Sequence, residues 1–196
     1  MSPRTARLLK DHSFYHVIAC GYQDQHVFAE EKDYQTYLNL MLKYKRRFQI
    51  KIYGFCLMPD HLYLVLRCPR GSQLSSFMQG VNQSYAMYFN SHYKRNGRLW
   101  RGRFKSVLLE KDSEIWECLK CIEFFPVILR ITDSPANYSW SSYYSRMLGD
   151  PLGIIDQFSM RNVLEMSNPL SQEERQGISG AVSPPPSAQE TVLKRP

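Results

Sequence analysis

Apolar and polar residues follow one another along the first two thirds of the chain in patterns that predict alternating strands and helices. Short runs rich in β-branched and aromatic residues, bounded by turn residues, predict four strands. These runs are "SFYHVIACG" (13–21), "QIKIYGFCLM" (49–58), "HLYLVLRC" (61–68) and "FKSVLLE" (104–110). The dipeptide Pro59-Asp60 separates the second run from the third, which predicts a hairpin.

Three other segments carry apolar residues at helical spacing. The first helix is predicted from Glu31 to Phe48, with a cluster of cations at its C-terminal end, where they complement the helix dipole. The second covers residues 71–93, and the third, "SEIWECLKCIEFF" (113–125), is expected to stop before Pro126. The order β-α-β-β-α-β-α predicts the α+β class, a small antiparallel sheet with helices packed on one face.

The periodic pattern is lost toward the C-terminus. From Ser167 onward the chain gains Pro, Ser and Gly, which predicts a disordered tail. We therefore expect a folded domain over 1–149, a short helical extension over 150–166 and the tail over 167–196. No apolar run approaches the length of a membrane span, and the first residues lack the apolar centre of a signal peptide, so no membrane association is expected.

Charge is distributed unevenly along the chain, whose formal net charge is +7. Residues 150–196 contain 4 of the 25 Lys/Arg and 6 of the 18 Asp/Glu, which leaves 21 and 12, a net charge of +9, for residues 1–149. This charge favours a polyanion such as nucleic acid as the partner, although net charge alone also fits a soluble basic protein. Five cysteines without regular spacing indicate a reducing compartment, the cytoplasm.

The densest basic segment is "KRNGRLWRGRFK" (94–105), which has six cations, no acid and two aromatic residues. Guanidinium groups grip phosphates bidentately, and aromatic rings stack on unpaired bases. We therefore favour contact with nucleic acid over the alternative of a solvated loop that Trp100 anchors to the core. The residues expected to bind nucleic acid are Arg98, Trp100, Arg101, Arg103 and Lys105, with Arg46 and Arg47 at the edge.

His61 and a pair of cysteines are the candidates for metal chemistry. His61, in "MPDHLYLVL", shares a strand face with Tyr63 and lacks a second ligand at metal spacing. Such a histidine is more often a hydrogen-bonded residue of a sheet than a ligand. Cys118 and Cys121 share one side of the predicted third helix, but a zinc site would need a second pair, so we interpret them as buried core thiols.

Three stretches taken together resemble the single-tyrosine HUH transposases, and most closely the REP-associated tyrosine transposases. They are "FCLMPDHLYLVL", "LSSFMQGVNQSYAMYFNSHYKRNGRLWRGRFKSVLLEKD" and "CIEFFPVILRITDSPANYSWSSYY". The resemblance runs from about residue 14 to residue 149, and "GRLWRGRFKS" is its most specific piece. It implies a ferredoxin-like sheet with helices on one side, often dimeric, that handles DNA hairpins and their single-stranded flanks.

In active members of that family two histidines hold a divalent metal ion, and a tyrosine on a later helix attacks the phosphodiester. The resemblance places His61 at the first histidine, Tyr63 at the second, Cys121 at the nucleophile and Phe125 at a metal-assisting position. A neutral phenol is a poor ligand for Mg²⁺, and phenylalanine cannot ligate at all. Because catalytic groups act as a unit, these departures predict a catalytically degenerate relative in which His61 is only the remnant of a metal site.

The main hypothesis is therefore a cytoplasmic, transposase-derived protein, in a homodimer, that binds a DNA hairpin with a single-stranded flank. No cofactor is expected, and Mg²⁺ or Mn²⁺ would be needed only by an active enzyme. The alternatives are a DNA-nicking transposase with Tyr63 as a relocated nucleophile, a structural zinc held by His61, Cys118 and Cys121, an RNA-hairpin ligand, and a partner-binding module that docks through the Pro/Ser-rich tail.

Overall fold

The computed structural model describes residues 9–150 and 152–157, apart from the side chain of Leu148. Within these residues the predicted order of strands and helices is present. The strands are β1 (Ser13–Cys20), β2 (Lys51–Met58), β3 (His61–Cys68) and β4 (Lys105–Leu109). The helices are α1 (Glu31–Phe48), α2 (Gly71–His92), α3 (Asp112–Ile128) and α4 (Ser142–Leu148). No helix in this part of the chain has the length and apolar character needed to cross a membrane.

The four strands form one sheet in the order β2-β3-β1-β4, and every neighbouring pair is antiparallel. β2 and β3 form the predicted hairpin across Pro59 and Asp60. α1 and α2 each connect two strands that are separated by a third strand of the sheet. This is the topology of the ferredoxin-like β-α-β-β-α-β fold, so the predicted α+β class and antiparallel sheet are confirmed.

Helices cover both faces of this sheet. Leu62, Leu64 and Leu66 of β3 belong to the apolar core that α1 and α2 complete. Tyr63 and Val65, on the opposite face of the same strand, belong to a second core that α3 completes. The prediction of helices on one face is therefore correct for α1 and α2 and wrong for α3. A strand that is buried on both faces has a nearly continuous apolar run, as "HLYLVL" has.

α3 continues through Pro126 to Ile128, although the sequence predicts that it stops before the proline. Proline lacks the N–H that a helix uses and favours an end to the helix. Here the helix runs only two residues further, and the carbonyl of Pro126 accepts a hydrogen bond from the backbone N–H of Ile131 at 2.8 Å. Phe125 and Pro126 are both buried, so tertiary packing outweighs the local preference of the proline.

Segments that follow α3 cover the outer edge of β2. The backbone N–H of Leu57 donates to the carbonyl of Trp140 at 2.9 Å, and the N–H of Ile52 donates to the carboxylate of Asp156 at 2.8 Å. Residues 152–157 are the described part of the predicted helical extension, and they are not helical. The remainder of that extension and the predicted tail lie outside the described residues.

Candidate nucleic-acid interface and the neighbouring aromatic cluster

The basic loop (residues 94–105) lies at the end of the sheet where β1 ends and β3 begins. The backbone N–H of Arg101 donates to the carbonyl of Cys20 at 2.9 Å, and Gly21 forms an isolated β-bridge with Trp100. The N–H of Tyr22 donates to the carbonyl of Leu99 at 2.8 Å. These bonds hold the backbone of the basic loop against the residues that follow β1.

The aromatic residues of the basic loop anchor it to the core. Trp100 is half-buried, and its indole N–H donates to the backbone carbonyl of Asn82 on α2 at 3.0 Å. Its ring also contacts those of Tyr37 and Tyr85, while Phe104 is buried. A base stacks only on an exposed ring face. These contacts agree with the alternative of the sequence analysis in which Trp100 anchors the loop to the core, and a role of its half-exposed ring in binding nucleic acid stays a prediction.

Two residues that follow β1 clamp the basic loop from one side. The side-chain amide of Gln25 donates to the carbonyls of Arg98 and Leu99 at 3.1 and 2.8 Å, and its oxygen accepts from the guanidinium of Arg95 at 2.7 Å. The carboxylate of Asp24 pairs with the guanidinium of Arg101. Two cations of the basic loop are thus engaged within the protein. Nothing in the sequence near Gln25 indicates this role, because its partners lie at least 70 positions away.

The remaining cations of the basic loop face solvent. Lys94, Arg98, Arg103 and Lys105 are exposed, and no acidic side chain among the described residues pairs with any of them. Gly97 has φ of 106°, a left-handed conformation that favours glycine at this turn. The structure thus presents four free positive charges on a loop whose backbone is held by hydrogen bonds.

Arg46 and Arg47 lie further along α1 than the residue of that helix that contacts the basic loop. They lie in the last turn of α1, and Tyr37, which contacts Trp100, lies nearer the start of the same helix. At about 1.5 Å per residue, Arg46 is roughly 14 Å further along the helix axis than Tyr37. The two groups of cations are therefore offset along the axis of α1.

The four residues that the resemblance associates with chemistry lie together between β3 and α3. We call His61, Tyr63, Cys121 and Phe125 the aromatic cluster. The rings of Tyr63 and Phe125 stack with centroids 4.4 Å apart, and His61 meets Tyr63 edge-on at 4.9 Å. Cys121 lies one helical turn before Phe125 in the same buried core.

The imidazole of His61 is 1% exposed and keeps one nitrogen without a partner. Its Nδ1 lies 2.5 Å from a carboxylate oxygen of Asp60, which assigns the imidazole proton to Nδ1. Its Nε2 has no hydrogen-bond partner among the described residues. Burial acts to raise the pKa of Asp60, but the hydrogen bond and the electrostatic interaction with His61 outweigh it and lower that pKa.

Two more buried polar atoms on this face of the sheet have no partner in the described part of the chain. They are the hydroxyl of Tyr63 and Nε2 of His16, whose ring stacks on Tyr63 with centroids 5.9 Å apart. Burial raises the pKa of Tyr63 far above its ordinary value and lowers the pKa of His16 to about 4. Both groups are therefore neutral near pH 7.

This set of donors does not fit the divalent metal ion that the resemblance implies. It offers one imidazole nitrogen and a neutral phenol, and the ring of Phe125 covers the phenol. Mg²⁺ requires several oxygen ligands, preferably charged ones. Within residues 9–150 and 152–157, no group of three or more His, Cys, Asp or Glu side chains could hold a metal ion, and that includes the arrangement of His61, Cys118 and Cys121.

The cysteines of α3 are buried thiols, as the sequence analysis predicts. Burial raises the pKa of Cys121 to about 12. Burial, together with the neighbouring Cys121, also raises the pKa of Cys118 well above its ordinary value. The thiolate, not the thiol, is the nucleophile and the metal ligand. Neither cysteine therefore supplies a reactive sulfur near pH 7.

Comparison with known proteins identifies the family. The sequence model of the family described as "Transposase IS200 like" matches residues 10–117, more than half of the chain. The chain belongs to the IS200-like transposase family. The match ends before Cys121 and Phe125, so the roles of those two positions rest on the resemblance alone. No curated protein matches the chain.

A solved transposase structure shows the same fold, and two further structures are less similar. The REP-associated tyrosine transposase bound to a REP hairpin superposes with a TM-score of 0.64 at 16% identity, covering 81% of this chain and 96% of that one. A protein of Deinococcus radiodurans R1 solved as a candidate transposase has a TM-score of 0.43 at 14% identity, over 57% and 89% of the two chains. The tRNA(His) guanylyltransferase of Saccharomyces cerevisiae has a TM-score of 0.43 at 10% identity, over 91% and 80%.

Proposed function

We propose that this chain is a transposase-derived DNA-binding protein that recognises a DNA hairpin with a single-stranded flank and does not cleave it. The observation that carries the proposal is the basic loop, which presents unpaired cations on a backbone held by hydrogen bonds. The family, and the likeness of fold to a transposase that is bound to a hairpin, support DNA as the polyanion.

Binding follows from the charge and the rigidity of the basic loop. Arg98, Arg103 and Lys105 meet phosphates, and the counterions that leave the DNA drive association at low salt. Gln25 holds the carbonyls beside Arg98, so little conformational freedom remains to be lost when DNA binds. Phosphate contacts of this kind orient a nucleic acid without reading its sequence.

The absence of cleavage follows from the aromatic cluster. Breaking a phosphodiester requires an activated nucleophile and a group that stabilises the developing charge. The thiol of Cys121 is 2% exposed and protonated, and the hydroxyl of Tyr63 is fully buried and neutral. The side chains of the cluster therefore pack against each other, and none of them presents an activated nucleophile to a phosphate. No cofactor is needed for this function, while a cytoplasmic location and a homodimer stay predictions of the sequence analysis.

The test uses a labelled DNA hairpin with a single-stranded 5′ flank, incubated with the protein and Mg²⁺ or Mn²⁺. Half of each reaction is run on a native gel and half on a denaturing gel. We expect a shifted band on the native gel and intact, unmodified DNA on the denaturing gel. Cleavage or a covalent adduct that disappears in Tyr63→Phe or Cys121→Ser would show an active transposase instead. Tighter binding of an RNA hairpin of the same shape would indicate that RNA, not DNA, is the ligand.

A further inference from the structure

The chain contains no acidic residue between Asp60 and Glu110, a stretch of 49 residues. This stretch comprises β3, α2, the basic loop and β4. α2 itself, 22 residues long, also lacks Lys and Arg, so His92 is its one titratable side chain apart from its tyrosines. A helix that faces solvent ordinarily carries charges on its outer side. The absence of Asp, Glu, Lys and Arg from the exposed side of α2 is therefore not explained by packing.

Five of the seven exposed residues of α2 form a line along one side of the helix, since they recur at intervals of three or four. We call this line the α2 stripe, and its members are Ser72, Ser76, Gln79, Gln83 and Met87. Hydroxyl and amide groups donate hydrogen bonds to phosphate and sugar oxygens and place no negative charge near them. The α2 stripe is thus a neutral, hydrogen-bonding surface.

Cations lie at both ends of the α2 stripe. The basic loop follows the C-terminus of α2, and the exposed Arg70 precedes its first residue. At about 1.5 Å per residue, α2 is roughly 33 Å long, close to one turn of B-form DNA. A DNA duplex laid along the α2 stripe would therefore meet positive charge at both of its ends.

α1 adds more positive charge beside the far end. α1 and α2 pack side by side, with the hydroxyls of Tyr44 and Ser84 2.9 Å apart. A Cβ at Gly80 would lie 2.4 Å from the ring of Tyr44, so glycine at this position permits the close approach of the two helices. Because Asp33 meets Tyr88 while Tyr44 meets Gly80, the helices run antiparallel, and the last turn of α1 lies beside the N-terminal half of α2. The exposed cations of that part of α1 are Lys43, Arg46 and Arg47.

We propose that the α2 stripe is the contact surface for the duplex stem of the hairpin, which runs from the basic loop to Arg46 and Arg47. This inference rests on the proposed function, because it extends the same interface. A protein partner would favour an apolar centre, and Met87 is the one exposed apolar side chain on the stripe. Affinity should therefore rise with stem length until the duplex spans α2, at about ten base pairs of 3.4 Å each.

The test compares hairpins with the same loop and flank but stems of about four and about twelve base pairs, using fluorescence anisotropy at several salt concentrations. The turn of the basic loop at Gly97, whose carbonyl accepts a hydrogen bond from the side chain of Asn90 at 3.0 Å, lies eleven helical residues beyond Gln79, roughly 17 Å along the axis. A four-base-pair stem of about 14 Å that begins at this turn therefore does not reach Gln79. The variants are Ser76→Glu/Gln79→Glu and Ser76→Lys/Gln79→Lys. The control is Ser113→Glu/Asn137→Asp, which adds two negative charges at exposed positions outside the α1–α2 layer.

We expect the glutamate pair to weaken binding of the long stem about tenfold and to leave the short stem within about twofold of the original protein. The lysine pair should tighten binding of the long stem and steepen its salt dependence by nearly two counterions. The control should affect both stems equally and weakly. Equal effects of the glutamate pair on both stems, or none on either, would overturn the inference. Failure of every hairpin to bind would instead overturn the proposed function.

Discussion

At the scale of single residues, Tyr63 and Tyr37 are both fully buried but differ in the fate of their hydroxyl groups. The hydroxyl of Tyr37 donates to the side-chain oxygen of Asn82 at 2.8 Å. The hydroxyl of Tyr63 has no partner among the described residues, although its ring is packed against Phe125 and His61. Burying a hydroxyl without a hydrogen bond costs about 1–3 kcal/mol. Tyr63 therefore stabilises the core through its ring and destabilises it through its oxygen.

We predict that Tyr63→Phe raises the free energy of unfolding by about 1 kcal/mol, because it removes the unpaired hydroxyl and keeps the ring. The matched variant Tyr37→Phe should lower it by a similar amount, because it leaves the oxygen of Asn82 without its donor. Urea denaturation of the three proteins measures both changes. A loss of stability in Tyr63→Phe would mean that the hydroxyl of Tyr63 makes a stabilising hydrogen bond within the aromatic cluster.

At the scale of elements, the basic loop depends on residues outside itself. Its side of the interface is shaped by Gln25 and Asp24, which follow β1, and by Asn82 in the middle of α2. These contacts provide hydrogen-bond partners for backbone carbonyls and for the indole N–H of the basic loop, and they leave some of its cations free to bind a ligand. The conformation of the basic loop is therefore held by neighbouring elements. Its affinity for DNA should depend on those supporting contacts as well as on its own charges.

We predict that Gln25→Leu weakens hairpin binding about three- to tenfold while the slope of affinity against salt stays the same. The substitution removes three hydrogen bonds to the basic loop but no cation that meets a phosphate. The control Gln35→Leu alters an exposed glutamine of α1 whose side chain bonds to Glu31 of the same helix. Anisotropy titrations at several salt concentrations separate the two quantities. A changed slope of affinity against salt in Gln25→Leu would mean that Gln25, or the residues that it holds, takes part in phosphate contact.

At the scale of the whole molecule, the positive charge is not spread evenly over the surface. The acid-free segment supplies β3, α2, the basic loop and β4, whereas α3 carries acids and its buried Glu123 pairs with Arg146 of α4. Among the described residues, the layer of α1 and α2, together with the basic loop, therefore carries most of the cations that have no acidic partner. A polyanion should approach this side of the protein rather than the side of α3.

We predict that Arg98→Ala/Arg103→Ala lowers the slope of log affinity against log salt by about 1.8, because two phosphate contacts are lost at about 0.9 each. The control Lys120→Ala/Arg130→Ala removes two cations from α3 and the turn after it, and it should leave the slope unchanged. Titrations of one hairpin across a range of salt concentrations measure both slopes. Equal slopes in all three proteins would mean that the basic loop does not meet the phosphates.

The sequence alone determined the elements of the fold and the family. The predicted bounds of α1 and β3 coincide with the observed ones, because hydrophobic periodicity and turn residues act over a few positions. The basic loop could also be recognised from the sequence, because its cations lie close together along the chain. The order of the elements supplied the antiparallel sheet and the resemblance supplied the transposase family, which the fold and the family match confirm.

Only the tertiary structure decided which residues meet. It places α3 on the second face of the sheet and extends it through Pro126, because buried contacts there outweigh a local preference. It anchors Trp100 and recruits Gln25 through partners that are distant in sequence. It also places Arg46 and Arg47 beside the N-terminal half of α2, because α1 and α2 pack antiparallel. Side-chain contacts between distant segments depend on packing geometry, which no local pattern of residues contains.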